Sequence, residues 1–139
     1  MIGLDTNVLV RYFTQDDPTQ AAQATALMDS LSSQSTGFIP LVVMVELVWV
    51  LTSCYQTSDE KVGDLIETVL RAKELVVENS EVVWRALHTF RKNIKAGFAD
   101  CLIERSAHAA GCAYTVTFDR DAVMAAGMRL MAGTAEGSI

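Results

Sequence analysis

Apolar residues recur along this chain in two alternating rhythms. Short runs of β-forming residues fall at 2–4, 38–39, Leu75–Val77, 113–118 and 128–131, and longer stretches between them repeat at helical spacing. Residues 8–13, VLVRYF, continue from Asp5-Thr6-Asn7 as a first helical pattern. Asp17 followed by Pro18 reads as an N-cap with proline at the first helical position, and Ala21, Ala24, Met28 and Leu31 then run down one face. The polar segment 32–37, SSQSTG, is a loop, and Pro40 opens a strongly apolar helix over 41–54. Thr57 to Glu60 forms a capping-box pattern ahead of Val62, Leu65, Ile66, Val69 and Leu70. Asn79 or Ser80 caps the next helix. Its apolar face is Val83, Leu87, Phe90 and Ile94, and its opposite face carries Arg85, His88, Lys92 and Lys95. After the break at Ala96-Gly97, residues 98–110 form another helix with Gly111 as C′ residue. Residues 113–118 read as a buried strand, 121–126 as a short helix, and 132–139, AGTAEGSI, as a flexible tail.

Strands alternating with helices predict an α/β fold, a central, mostly parallel sheet flanked by helices, in a single domain over 1–131. Composition agrees. The chain has 139 residues, half of them hydrophobic and 20% charged, enough to bury a core. The apolar run around Glu46 is too short to cross a bilayer, which needs about 20 apolar residues. The N-terminal MIGLDTNVLVRYF has no basic segment before its apolar residues, so no signal peptide is expected. Cys54, Cys101 and Cys112 are odd in number and fit no zinc spacing, and are expected to be free thiols in a reducing cytoplasm. The net charge of −6 argues against a large basic surface for nucleic acid. It does not exclude a nuclease whose metal ions offset its own carboxylates.

That acidity is distributed in a telling way. Ligands of open α/β sheets bind beyond the carboxyl ends of the strands. Asp5 directly follows the first strand, Asp119 follows the strand ending at Phe118, and Glu46 lies two turns into the helix leaving residues 38–39. Asp100 opens the helix after Gly97 inside an otherwise uncharged FADCLI. Asp5 and Asp100 can also be read as helix caps, and Asp119 as a turn residue. Glu46, set between Val45 and Leu47-Val48-Trp49, is expected to avoid the solvated face, leaving a buried salt bridge or a metal as its partner. Oxygen-only ligands suit Mg²⁺ or Mn²⁺ and not zinc. No Ser/His/Asp nucleophile set, P-loop or dinucleotide fingerprint stands out.

The segments LDTNVLV (4–10), VELVWVL (45–51), FADCLI (98–103) and TFDRDA (117–122) together resemble the PIN domain, in order and at matching spacing, most closely the VapC-like toxins of type II toxin–antitoxin systems. The resemblance implies a three-layer α/β/α fold and a metal-dependent endoribonuclease. In it Asp5, Glu46, Asp100 and Asp119 would bind Mg²⁺ or Mn²⁺ and activate water against an RNA phosphodiester. Thr6 and Asn7 match the polar residues beside the first acid, with Asn7 expected to steady the site. Thr117 matches a hydroxyl position near the fourth acid, and Asp121 an auxiliary one. The resemblance also implies a homodimer silenced by an antitoxin whose C-terminal segment covers the cleft. Arg11, Arg85, Lys92, Lys95 and Arg120 are candidate RNA contacts. Two other readings stand beside this one. The first is a non-catalytic binding module of the same fold. The second is a HAD-type phosphohydrolase, which needs a second Asp where this chain has Asn7.

Overall fold

The computed structural model describes residues 1–93 and 96–131. The expected positions Ile94 and Lys95 and the tail 132–139 lie outside the described residues. By its internal contacts the chain gathers into two compact units, Met1–Ser80 and Glu81–Ile139.

The first unit runs β1 (Ile2–Gly3), α1 (Thr6–Thr14), α2 (Pro18–Ser30), β2 (Gly37–Ile39), α3 (Leu41–Cys54), α4 (Asp59–Arg71) and β3 (Leu75–Val77). Its strands form a parallel sheet in the order β1-β2-β3, with Ile2 opposite Gly37 and Gly37 opposite Leu75. Parallel pairing requires crossover connections, and the helical segments supply them. α1 packs on α2 and α3, and α4 packs on α3 and β3. Leu9, Ile39, Met44, Leu47, Val62 and Ile66 are all fully buried. Gly37 allows close approach: a Cβ there would lie 2.8 Å from Leu4 Cδ1 and 3.0 Å from Leu31 Cδ1, so those side chains would have to shift. This α/β arrangement with a parallel sheet of three strands is the fold class expected from the alternation.

Local signals set the helix starts. Asp17 caps α2, its side chain accepting from Gln20 N–H at 3.0 Å, with Pro18 at the first position. The capping box expected at Thr57 is shifted by one residue. Ser58 caps α4, accepting from Lys61 N–H at 3.2 Å. α3 follows Pro40, whose side chain has no polar group to cap it with. Its first N–H, from Leu41, donates instead to Glu78 Oε1 at 2.8 Å, a carboxylate brought over from the end of β3.

The second unit comprises α5 (Ser80–Lys92), whose first residue closes the first unit, then α6 (Phe98–Ala109), β4 (Val116–Thr117), α7 (Arg120–Ala126) and β5 (Arg129–Leu130). Val83, Leu87, Phe90, Phe98, Cys101 and Leu102 are buried, and Phe90 meets Phe98 edge-on at 5.9 Å. Gly111, at φ +97°, follows α6 in the left-handed conformation expected of a C′ glycine. The expected buried strand over 113–118 is corrected. β4 spans only Val116–Thr117, pairs in parallel with β5 among the described residues, and leaves Val116 and Phe118 exposed. β-Branched and aromatic composition there sets strand propensity but not burial. Among the described residues no helix is long and apolar enough to cross a membrane.

Candidate active site

In the first unit the chemistry gathers where β1 meets α1. Asp5 caps α1, accepting from Thr6 N–H at 2.7 Å, so its carboxylate is fixed by the helix it begins. Thr6 is buried, and its hydroxyl donates to Glu46 Oε1 at 2.6 Å, a short charge-assisted bond spanning α1 and α3. Asp5, Thr6, Asn7, Arg11, Glu46 and Tyr55 line one cleft of about 470 Å³. The expectation that Asn7 steadies the acids is modified, since the bond to Glu46 comes from Thr6.

Glu46 also departs from the expectation that it avoids solvent: it is exposed. α3 buries Val43, Met44, Leu47, Val48 and Leu51, and the opposite stripe presents Val42, Glu46 and Trp49. Val42 and Trp49 are 65% and 63% exposed, so an apolar neighbourhood in sequence did not mean a buried position. The carboxylate lies at the solvated mouth of a cleft and not inside a core.

In the second unit Asp119 caps α7 through Asp121 N–H at 2.9 Å. Its own N–H donates to Thr117 Oγ1 at 3.0 Å, so the hydroxyl position of the strand end shapes the turn that presents the acid. Asp100 is half-buried in the first turn of α6, but Gly97 occupies the cap position, so Asp100 does not serve as the cap. Burial, and after it the negative charge of Asp119, hold the Asp100 carboxyl above the ordinary aspartate range. These two acids therefore sense one another. Burial chiefly pushes the adjacent Cys101 thiol up to about 11, which leaves it an unreactive core residue. All three cysteines are free.

Among the described residues none of the four acids is ion-paired with Lys, Arg or His. No group of three or more His, Cys, Asp or Glu is gathered to hold a metal among those residues. The candidate donors are nevertheless carboxylates two by two: Asp5 and Glu46 line one cleft, and Asp100 feels the charge of Asp119. Mg²⁺ typically takes about one or two protein carboxylates and keeps several waters. The donor set fits a hard divalent cation of that kind.

The candidate basic contacts are less uniform. Arg85 pairs at 3.8 Å with Glu81 on an exposed helix face, and His88 and Lys92 are exposed beside it. Arg120 is exposed at the start of α7. Arg11 reaches the acidic cleft and is bound by Asp16, Gln20 and Tyr55, which sequence reading did not single out. The signal for Asp16 and Gln20 lay in their place soon after the end of α1, five and nine residues beyond Arg11. Tyr55 carried no such signal.

Comparison with known proteins adds to this picture. The family model described as PIN domain matches residues 2–127. The "VapC ribonuclease" of Aquifex aeolicus (strain VF5) is 27% identical over 118 residues, covering 84% of this chain and 86% of that relative.

Proposed function

This chain belongs to the PIN-domain family, and on that premise we propose that it is an endoribonuclease dependent on Mg²⁺ or Mn²⁺ and the toxin of a toxin–antitoxin pair. The observation that carries the reading is Asp100. It is half-buried and caps nothing, and burial first, then a second carboxylate, raise its pKa. Such arrangements concentrate at functional sites, because a structural role gives no reason to keep like charges together. The similarity to a relative called a VapC ribonuclease supports RNA as the substrate.

Asp5, Glu46, Asp100 and Asp119 are the acids we assign to metal binding and catalysis. When bound, the divalent ion would polarise the phosphodiester and lower the pKa of the attacking water. The chain's own groups hold the ligands. Thr6 orients Glu46, the α1 N-terminus orients Asp5, and Thr117 sets the backbone from which Asp119 projects. Asn7 and Asp121 are auxiliary polar groups. Arg11, Arg85, Lys92, Lys95 and Arg120 serve as phosphate contacts along the RNA. The working form we propose is a cytoplasmic homodimer, silenced by an antitoxin that offers basic side chains to the acids.

The purified chain is expected to cut single-stranded RNA in Mn²⁺ or Mg²⁺ and to stop in excess EDTA. Cleavage that persists in EDTA overturns the metal dependence, and RNA left intact with either ion returns the protein to the non-catalytic reading. Thr6→Val keeps the shape of a buried side chain but removes the bond to Glu46. It is expected to lower cleavage by about 10–100-fold, the usual cost of losing a partner that orients a metal ligand. The thermal midpoint should barely move, because water can replace the hydroxyl at an exposed carboxylate. Unchanged cleavage would remove Thr6 from the machinery.

A further inference from the structure

We infer that a second cavity, beside the acidic cleft, is the subsite for one unpaired nucleotide of the RNA strand, with Arg11 gripping its phosphate and Gln20 reading its base. The inference rests on the ribonuclease reading and adds to it where the strand lies.

The cavity, of about 260 Å³, lies between α1 and α2. Its polar lining is Asn7, Arg11, Gln20 and Gln23, over an apolar floor that includes Ala24 and Leu27. Asn7 and Arg11 also line the acidic cleft, so these two residues form a shared wall. They are four apart on α1 and lie on one helical face. Ligand pockets for drug-sized molecules run from about 300 to 1,000 Å³, so this cavity is on the scale of something smaller, such as a single base.

Arg11 is held in one orientation before any ligand arrives. Its Nε donates to Gln20 Oε1 at 2.7 Å, and its Nη1 to Asp16 Oδ1 at 3.1 Å and to the Tyr55 hydroxyl at 3.2 Å. Tyr55 in turn donates to Asp16 Oδ2 at 2.6 Å, and Thr14 to Asp16 Oδ1 at 2.9 Å. The Tyr55 and Thr14 hydroxyls, with the Arg11 charge, hold the Asp16 carboxyl below its usual range. Every engaged donor is thus on Nε or Nη1, and among the described residues Nη2 has no partner. A guanidinium held at Nε and Nη1, with Nη2 uncommitted and the side chain lining a cleft that also holds acids, is suited to a phosphate oxygen. Asp16, Tyr55 and Gln20 act through it as positioning residues. If this cluster only tied α1 to the end of α3, neither the open Nη2 nor the cavity would be needed.

The orientation of Gln20 follows from the same network. A guanidinium only donates, so the amide oxygen must face Arg11 and the amide NH₂ must face away. Gln20 therefore offers donors, and Gln23, one turn along α2, adds an amide of its own. Unpaired RNA bases are recognised by hydrogen bonds to their edges, which such amides provide. The chemistry selects a base edge that presents an acceptor.

The test measures binding of random-sequence single-stranded RNA by fluorescence anisotropy across a salt series, and cleavage-site sequencing of the same pool in Mn²⁺. Arg11→Ala is expected to weaken binding at least tenfold for all sequences and to reduce the salt slope by about 0.7, one phosphate contact on a single strand. Gln20→Glu keeps the acceptor for Arg11 but replaces the amide donor, so it remains diagnostic even if Arg11→Ala fails to fold. It is expected to change nucleotide preference at one position beside the cut. If the wild type cuts RNA and both variants bind and cut with wild-type affinity and preference, the subsite is overturned and the nuclease stands. If RNA binding depends on both residues but nothing is cut, the subsite stands and the nuclease reading falls. RNA that is neither bound nor cut by the wild type overturns both.

Discussion

Asp100→Asn is expected to cut RNA at least about 100-fold more slowly than the wild type, while the metal-free protein becomes more resistant to heat at neutral pH. The first half follows from the role proposed for the acid, since removing one group that stabilises charge in a transition state costs about 10²–10³ in rate. The second half follows from the environment of the side chain. Burial, and then Asp119, hold the folded-state pKa above the ordinary aspartate value of 3.8. Between that value and the raised one, the folded protein binds more protons than the unfolded chain, so stability falls as pH rises through the window. Above the window the full penalty is present, and at pH 7 the wild type carries it. Asparagine has no charge to desolvate and none to oppose Asp119. The variant's advantage in thermal midpoint should be greatest at pH 7, with excess EDTA present, and should fade as pH falls through the window towards 3.8. Loss of activity combined with gain of stability is the signature of a group retained for function. An asparagine variant that melts below the wild type at pH 7 would show that Asp100 supports the fold, and one that still cleaves would remove it from the active site.

The alternation of short apolar runs with helical stretches was enough to anticipate the order of elements and the parallel sheet, because punctuation such as Asp17-Pro18 between α1 and α2, or Pro40 between β2 and α3, acts locally. What the sequence hid was exposure. Residues 41–54 are apolar on every side, so their periodicity could not say which face would be buried, and Glu46 emerged on the stripe that faces solvent. The run 113–118 has strand composition, yet among the described residues its strand pairs with residues 129–130 alone and leaves Val116 exposed, and that pairing is set by residues distant in sequence. The position rule for acids also admits a residue with a purely structural partner. Glu78 follows β3 just as Asp5 follows β1, and it is engaged in capping α3. Nothing in its neighbours distinguishes it. The difference arises because Pro40 leaves the α3 N-terminus without a side-chain cap. Arg11 was visible as a charge near Asp5, whereas its fixed posture depends on Tyr55, which is far away in sequence.

Leu47→Ala is expected to destabilise the protein by about 2–5 kcal/mol, the cost of removing a fully buried leucine and leaving a cavity. Leu47 has no exposed surface, and it belongs to the α3 face that also buries Val43, Met44, Val48 and Leu51. Against a total stability of roughly 5–15 kcal/mol, the loss is large enough to lower the denaturation midpoint visibly. Trp49→Ala removes a bigger apolar side chain two residues away on the same helix, but Trp49 is 63% exposed. It is expected to change stability by no more than about 0.5 kcal/mol. Urea titrations of both variants compare the two faces directly. Cleavage should also respond to Leu47→Ala beyond what unfolding explains, because the buried face of α3 sets the rotation that brings Glu46 to Thr6. Alternate side-chain packing would loosen that 2.6 Å contact without unfolding the helix. If Trp49→Ala proved as destabilising as Leu47→Ala, the solvated stripe carrying Glu46 would be part of the core. The carboxylate would then return to the buried position that its apolar neighbours first suggested.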